Sequence, residues 1–287
     1  MGKTRHWLLF AVGSLGIAVC SLLAVPAATP AERDSAPIRE QSWKTATFSS
    51  LLEPSGPPEY GRCIKTTGGG YTDAGCTTSG SPGAYEWYSA FGSARPLEKT
   101  RFSGVIKEAT TAKLETVNKN VITCTGETVN GKYTGNKTLG EVFVTFTGCS
   151  AFGTTCTSPG AAAGTIATNQ LEGVLGIETL GAEPVLNKIG EDLFPVGHTG
   201  AIGEFSCGGV KVVMSGSIIS PVAENAMKLT TTITAKQSKG KQNPENFIGE
   251  TPEPLMATIE SGTPEQGGEA LQTQQTNEEK VEINTVV

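Results

Sequence analysis

The sequence predicts an all-β protein: an antiparallel β-sandwich or barrel-like core with a small N-terminal Cys-containing β unit and three disulfides. Three observations carry this. Threonine and glycine are in excess, 37 and 36 of 287 residues, which favours strands and turns over helices. Short apolar–polar alternations recur from Thr100 to about Gln237, punctuated by Gly, Pro and Asn, as in sandwiches and barrels. Strands do not alternate with helical patterns, which argues against a doubly wound sheet.

The first element is a targeting segment. Lys3 and Arg5 precede an apolar run from Trp7 to Val25, and Val25-Pro26-Ala27 offers small residues for cleavage after Ala27. Residues 1–27 read as a secretory signal peptide, so the protein is expected to be secreted or extracellular, including at the cell surface. The rival readings are an uncleaved membrane anchor and a lipoprotein lipidated on Cys20, which is disfavoured by Val19 before it. Membrane association is expected only if the segment stays uncleaved. Cleavage leaves six cysteines, one histidine and a formal net charge of −8 where the precursor has −6. An even cysteine count in an exported chain reads as three disulfides. Sequence does not choose the pairing, but loop geometry prefers Cys63–Cys76 around a Gly-rich turn and Cys149–Cys156 around a short loop. That leaves Cys124 with Cys207.

Residues 28–60 are Pro-rich and aperiodic and read as a linker or loosely docked arm. Residues 61–98 form a small unit with the first cysteine pair and the aromatic run AYEWYSAF. Residues 99–287 form the main antiparallel β domain. Within it Val142, Val144 and Phe146 alternate with Phe143, Thr145 and Thr147, the period of a half-buried strand. Asn118-Lys119-Asn120 is a turn, and Asn130-Gly131 is a hairpin turn signal. The polar C-terminal stretches LMATIES and ALQTQQTNEEKVEINTVV still alternate and read as late strands with exposed edges.

The runs GRCIKTTGGGYTDAGCTTSGSPGAYEWYSAF, VITCTGETVNGKYTGNKTLGEVFVTFTGC, EGVLGI, EFSCGGVKVVMSGSIISPV and NEEKVEINTVV together carry a resemblance. Over residues 60–287 the chain resembles a group of secreted proteins of soil actinobacteria, present in several copies per genome, to which no activity is assigned. The resemblance implies a bacterial exported protein and carries over no functional residues.

Tests for chemistry mostly exclude. The mildly acidic balance offers no nucleic-acid footprint. His198 is the single histidine of the mature chain and no Gly-x-Ser-x-Gly elbow is present, so no catalytic triad is expected. Neither zinc-like cysteine spacing nor a calcium loop is found, the chain having three Asp in all. No metal, cofactor or catalytic residue is therefore nominated. Gly126–Lys132 imitates a phosphate loop, but Tyr133 stands where Ser or Thr is needed. The Asn136-Lys137-Thr138 sequon carries little weight in a bacterial protein. Paired Glu carboxylates could hydrolyse glycosides, yet Glu86, Glu108, Glu115, Glu127 and Glu141 lie in strand-like segments where solvated faces are expected, and no pair stands out.

The local feature with most chemical content is aromatic. Tyr85, Trp87 and Phe91 share one face of a strand, with Tyr88 on the other. Tyr85, Trp87 and Tyr88 could stack on sugar rings; the alternative is that Trp87 fills the core beside Cys63 and Cys76. Three functional expectations follow. The first is a non-enzymatic surface or envelope protein that binds or supports, with cell-wall glycan or an envelope protein as partner. The second is a carbohydrate-binding module centred on Tyr85, Trp87 and Tyr88. The third is an extracellular hydrolase using Glu alone.

Overall fold

Along Thr138–Thr147 the buried Val142 and Val144 alternate with the exposed Phe143 and Thr147, the two-residue period that aims one side of a strand inward. The computed structural model describes residues 58–285, and this period recurs through most of it. The expected signal peptide, residues 1–27, and the arm up to residue 57 lie outside the described residues. Glu59 and Tyr60, expected at the end of the arm, already belong to the first strand, where Tyr60 is fully buried.

In chain order the strands begin with β1 (Glu59–Tyr71), β2 (Ser79–Ser89), β3 (Arg101–Ile106), β4 (Ala112–Thr116), β5 (Val121–Cys124), β6 (Gly126–Tyr133) and β7 (Thr138–Thr147). They continue with β8 (Ser150–Ala151), β9 (Thr154–Thr157), β10 (Ile166–Ala167), β11 (Leu171–Thr179), β12 (Lys188–Pro195), β13 (Gly203–Cys207) and β14 (Val210–Ser215). The last are β15 (Ile218–Pro221), β16 (Lys228–Ala235), β17 (Gln237–Ser238), β18 (Lys241–Gln242), β19 (Met256–Ile259) and β20 (Glu265–Asn284). Two 3-10 turns, Pro184–Leu186 and Val196–His198, are the helical segments among the described residues.

The fold class is as expected, all-β with three disulfides. The core is a closed eight-stranded antiparallel barrel. Its neighbours run β3–β6–β7–β11–β12–β15–β16–β20 and back to β3. The β15–β16 seam is closed by the Val222–Ile233 bridge. Shorter strands close a second ring, β4–β5–β8–β9–β13–β14–β19–β20. β20 belongs to both. Glu265–Ala270 pairs in the second ring and Leu271–Asn277 in the first. A 20-residue strand spans roughly 65 Å at about 3.3 Å per residue, long enough to serve two stacked rings. The C-terminal segments are strands, as expected, but their edges are paired: β20 has β4 and β3 on one side, β19 and β16 on the other. Ring closure removes free edges.

The disulfides correct the expected pairing. Cys63–Cys76 forms, but the others are Cys124–Cys149 and Cys156–Cys207. These four cysteines lie in one row across β5, the β8–β9 hairpin and β13. Cys156 and Cys207 are direct cross-strand partners, and Cα separations are 4.0 Å and 4.1 Å for the two bridges. Cys124 and Cys207 stand three strand spacings apart, about 14 Å at about 4.8 Å each, beyond the about 7 Å limit for bridging. The hairpin is thus stapled on both edges. All four residues are buried.

Asn130-Gly131 is not a turn; it lies inside β6. Gly131 is there for packing: a Cβ at this position would lie 2.4 Å from Cζ of the buried Phe102 and 3.0 Å from Val142. The same strand contains the phosphate-loop imitation, which therefore forms no loop. The Asn118–Asn120 turn is present, with Lys119 in the left-handed region at φ 70° and its N–H bonded to the Thr116 carbonyl.

β1 and β2 form a long twisted ribbon. Its base joins β20 at Glu59–Gly61, and Arg62 anchors it further by donating to Glu279 on β20 at 2.5 Å and to the carbonyls of Arg95 and Pro96. Three disulfides fit an oxidising, extracellular environment.

Candidate functional site

Inward-facing residues of both rings line a cavity of about 130 Å³. Its walls are mainly apolar and include Phe102, Val144, Leu171, Phe205 and Met214. Three carboxyl groups also line it: Glu127 from β6, Glu191 from β12 and Glu269 from β20. Strand parity puts them there. Glu127 alternates onto the face of Val129 and Tyr133, Glu191 falls between Ile189 and Leu193, and Glu269 precedes Leu271 and Thr273 on the inward row of β20.

Each carboxyl is satisfied differently. Glu191 accepts the Tyr60 hydroxyl at 2.9 Å. The Tyr60 and Tyr133 rings pack tilted by 60° with centroids 4.5 Å apart, and Tyr133 and Phe102 tilted by 53° at 5.4 Å, an aromatic cluster inside the first ring. Tyr133 in turn donates to Asn277 at 2.9 Å, and Gln275 donates to the Tyr133 oxygen. Glu127 accepts the Thr273 hydroxyl at 2.8 Å. The Glu269 carboxyl has no hydrogen-bond partner among the described residues; only its backbone N–H is bonded, to Gln242 at 3.0 Å. Glu269 is half-buried, and its side chain borders the cavity.

Desolvation dominates the electrostatics, because an anion among apolar walls loses its hydration. Burial pushes Glu127 and Glu191 up to about 7, each partly offset by its hydroxyl donor. Glu269 is pushed up to about 8, by burial first and then by the nearby Glu127 charge. Burial also raises Asp192 and Glu178 to about 7 on the outer face of β11 and β12. At neutral pH the chamber therefore holds neutral or half-neutral acids that can give or keep a proton.

Of these acids the sequence singles out Glu127 alone for paired-carboxylate chemistry, in a strand-like segment where a solvated face is expected. The usable signal is parity: IGEDLFP places Glu191 on the face of Ile189 and Leu193, and GETVNGKY places Glu127 with Val129.

The aromatic candidates sit elsewhere, on the ribbon. Tyr85, Trp87 and Tyr88 are all half-buried on β2, facing Lys65, Cys63 and Arg62 across the pair. Trp87 lies on Gly61, where a Cβ would come within 2.1 Å of the ring, and its indole faces Glu282. Phe91 is turned to the core, its N–H bonded to Asn136 at 2.7 Å. His198 stacks on Phe194 at 3.7 Å and bonds Glu253 through Nδ1 at 2.9 Å. Among the described residues no cluster of three or more His, Cys, Asp or Glu is placed to hold a metal ion.

Set against known families, curated proteins and solved structures, the chain matches none.

Proposed function

We propose that this is an exported, non-enzymatic binding protein of the bacterial surface or envelope that carries a small apolar molecule inside its barrel. The observation that supports the reading is the mainly apolar cavity with a few convergent polar groups, the usual form of a small-molecule site. The interior of an eight-stranded barrel is either filled by its own side chains or holds one small ligand, and here a cavity of about 130 Å³ is left. Export is supported by the signal-like residues 1–27, by the disulfides and by the resemblance to secreted actinobacterial proteins.

Two rivals have less support. A sugar platform on Tyr85, Trp87 and Tyr88 would need open ring faces, and Trp87 already spends one face on Gly61. A Glu-based glycosidase needs an open cleft between two acids, whereas Glu127 and Glu269 face a small apolar interior.

The test uses the secreted protein with disulfides intact. Benzene or xenon should enter the chamber, detected by crystallography or by ligand-induced shifts in NMR spectra. Ala112→Leu, which fills chamber space, should block entry while the far-ultraviolet spectrum stays that of the parent. Failure of benzene and xenon to enter would overturn the reading.

A further inference from the structure

We propose that the ligand of the chamber is a compact apolar molecule bearing one protonated amine, held by the carboxyl of Glu269. This rests on the chamber reading above and adds the chemistry of the ligand to it.

The inference starts from an imbalance of charge and donors. Three acids line the cavity from three different strands, and two already have a partner: Tyr60 donates to Glu191 and Thr273 donates to Glu127. Glu269 has none. Its neighbours offer nothing in compensation. Across the pair on β4 stands Leu114, an apolar side chain. Lys113, beside it, also borders the cavity, but its ammonium is engaged 2.8 Å from Glu115. From β6 the group facing Glu269 is Glu127, a second acid. From the β17–β18 side Gln242 is occupied with the backbone N–H of Glu269. A polar side chain aimed into an apolar cavity without a partner is costly unless something completes it.

Ligand classes differ in how well they complete it. An anion would add like charge to a wall that already carries three acids. A neutral hydrocarbon fills the space and leaves the carboxyl unmet. A carbonyl compound accepts one hydrogen bond from the protonated acid. An ammonium supplies up to three donors and the missing positive charge, and charge-assisted hydrogen bonds are roughly twice as strong as neutral ones. In the ammonium case the carboxyl releases its proton to solvent as the ion pair forms, so binding and deprotonation are linked. The cavity limits size: about 130 Å³ is close to the roughly 150 Å³ apolar cavity that takes one benzene. A short branched chain with a primary amine fits that limit, and a single ring bearing one aminomethyl group stands at its upper edge.

The experiment titrates the intact, disulfide-bonded protein with benzylamine, toluene and benzaldehyde by calorimetry between pH 5.5 and 8.5. Benzylamine should bind at least about tenfold more tightly than toluene at pH 8, and its affinity should rise up to about tenfold per pH unit below the pKa of Glu269. Repeating the titration in buffers of different ionisation enthalpy should show up to one proton released per benzylamine bound. Glu269→Gln should abolish the preference, the pH dependence and the proton release while toluene binding persists, which also shows that the variant is folded. Toluene binding with benzylamine weaker, or with an amine preference that survives Glu269→Gln, would overturn the inference alone. Tighter benzaldehyde binding would assign Glu269 as a neutral donor and overturn it too. If none of the three binds, the chamber reading falls and takes this inference with it.

Discussion

Tyr60, on the first strand, donates its phenolic hydrogen to Glu191, on the twelfth, at 2.9 Å. The contact joins residues 131 positions apart, ties the base of the projecting ribbon to the barrel wall and shields a buried acid. Tyr60→Phe keeps the ring and removes the donor. A buried acceptor left unmet costs roughly 1–3 kcal/mol. The variant should unfold at lower urea with an unchanged slope, and Glu191, deprived of the donor that holds it down, should titrate higher still. Carbon-13 NMR of the Glu carboxyls would detect that rise.

Stability should be greatest in mild acid. Glu127, Glu191 and Glu269 have folded-state values of about 7, 7 and 8 against 4.5 for the ordinary group. Their folded forms hold protons that the unfolded chain gives up above 4.5, so stability declines as pH rises from about 5 through 8. Asp73 and Glu115 act oppositely. Held down to about 2 by hydrogen bonds from Thr78 and from Lys113 respectively, they favour the folded state above their unfolded values and lose that contribution as pH falls towards 2. The melting temperature should therefore peak near pH 4–5. A peak at pH 8 would contradict the buried acids.

Removing one such acid isolates its effect. Each pH unit by which a folded carboxyl exceeds its unfolded value is worth about 1.4 kcal/mol. For Glu269→Gln, a group raised from 4.5 to about 8, a gain of up to about 5 kcal/mol is expected at pH 9, a rise in Tm of up to roughly 10–20 °C for a chain of this size. At pH 4.5, where the acid is already neutral, the difference should nearly vanish. Thermal unfolding at the two pH values checks both halves of the prediction.

Peptide mapping distinguishes the cysteine pairings. No Lys or Arg lies between Cys149 and Cys156, so a non-reducing tryptic digest should yield one species in which their common peptide is linked to the peptides of Cys124 and Cys207. Further cleavage after Phe152 should separate Cys124–Cys149 from Cys156–Cys207. A closed Cys149–Cys156 loop would contradict the structure. Replacing Cys156 and Cys207 together by Ala should cost roughly 2–5 kcal/mol, because the hairpin then loses the staple on its β13 edge.

Gly131→Ala tests the strand assignment of the Asn130-Gly131 dipeptide. Between Phe102 and Val142 an added methyl overpacks the core and should cost roughly 1–3 kcal/mol. At a hairpin turn the change would instead disturb a surface site without touching Phe102. The near-ultraviolet spectrum, to which the Tyr60–Tyr133–Phe102 cluster contributes, should change with Gly131→Ala.

The sequence by itself determined the local choices. Threonine, glycine and two-residue alternation specified strands throughout, the Lys119 turn was legible because an Asn-rich stretch tolerates left-handed backbone, and cysteine parity implied three bridges. The first two depend on neighbours a few residues away, and the third on a count alone. Two other decisions depended on which distant strands become neighbours. The nested cysteine pairing failed because β13 lies against β9 and not β5, an order fixed only when the ring closes. The interior acids escaped notice because a glutamate on a strand looks solvated until the opposite wall is in place. Glu127 and Glu269 are separated by most of the barrel domain's sequence, and only closure of β20 against β3 and β4 brings them to one cavity. Burial is a property of the closed surface, and the cost of burying charge, which turns ordinary glutamates into acids titrating near neutrality, arises only there.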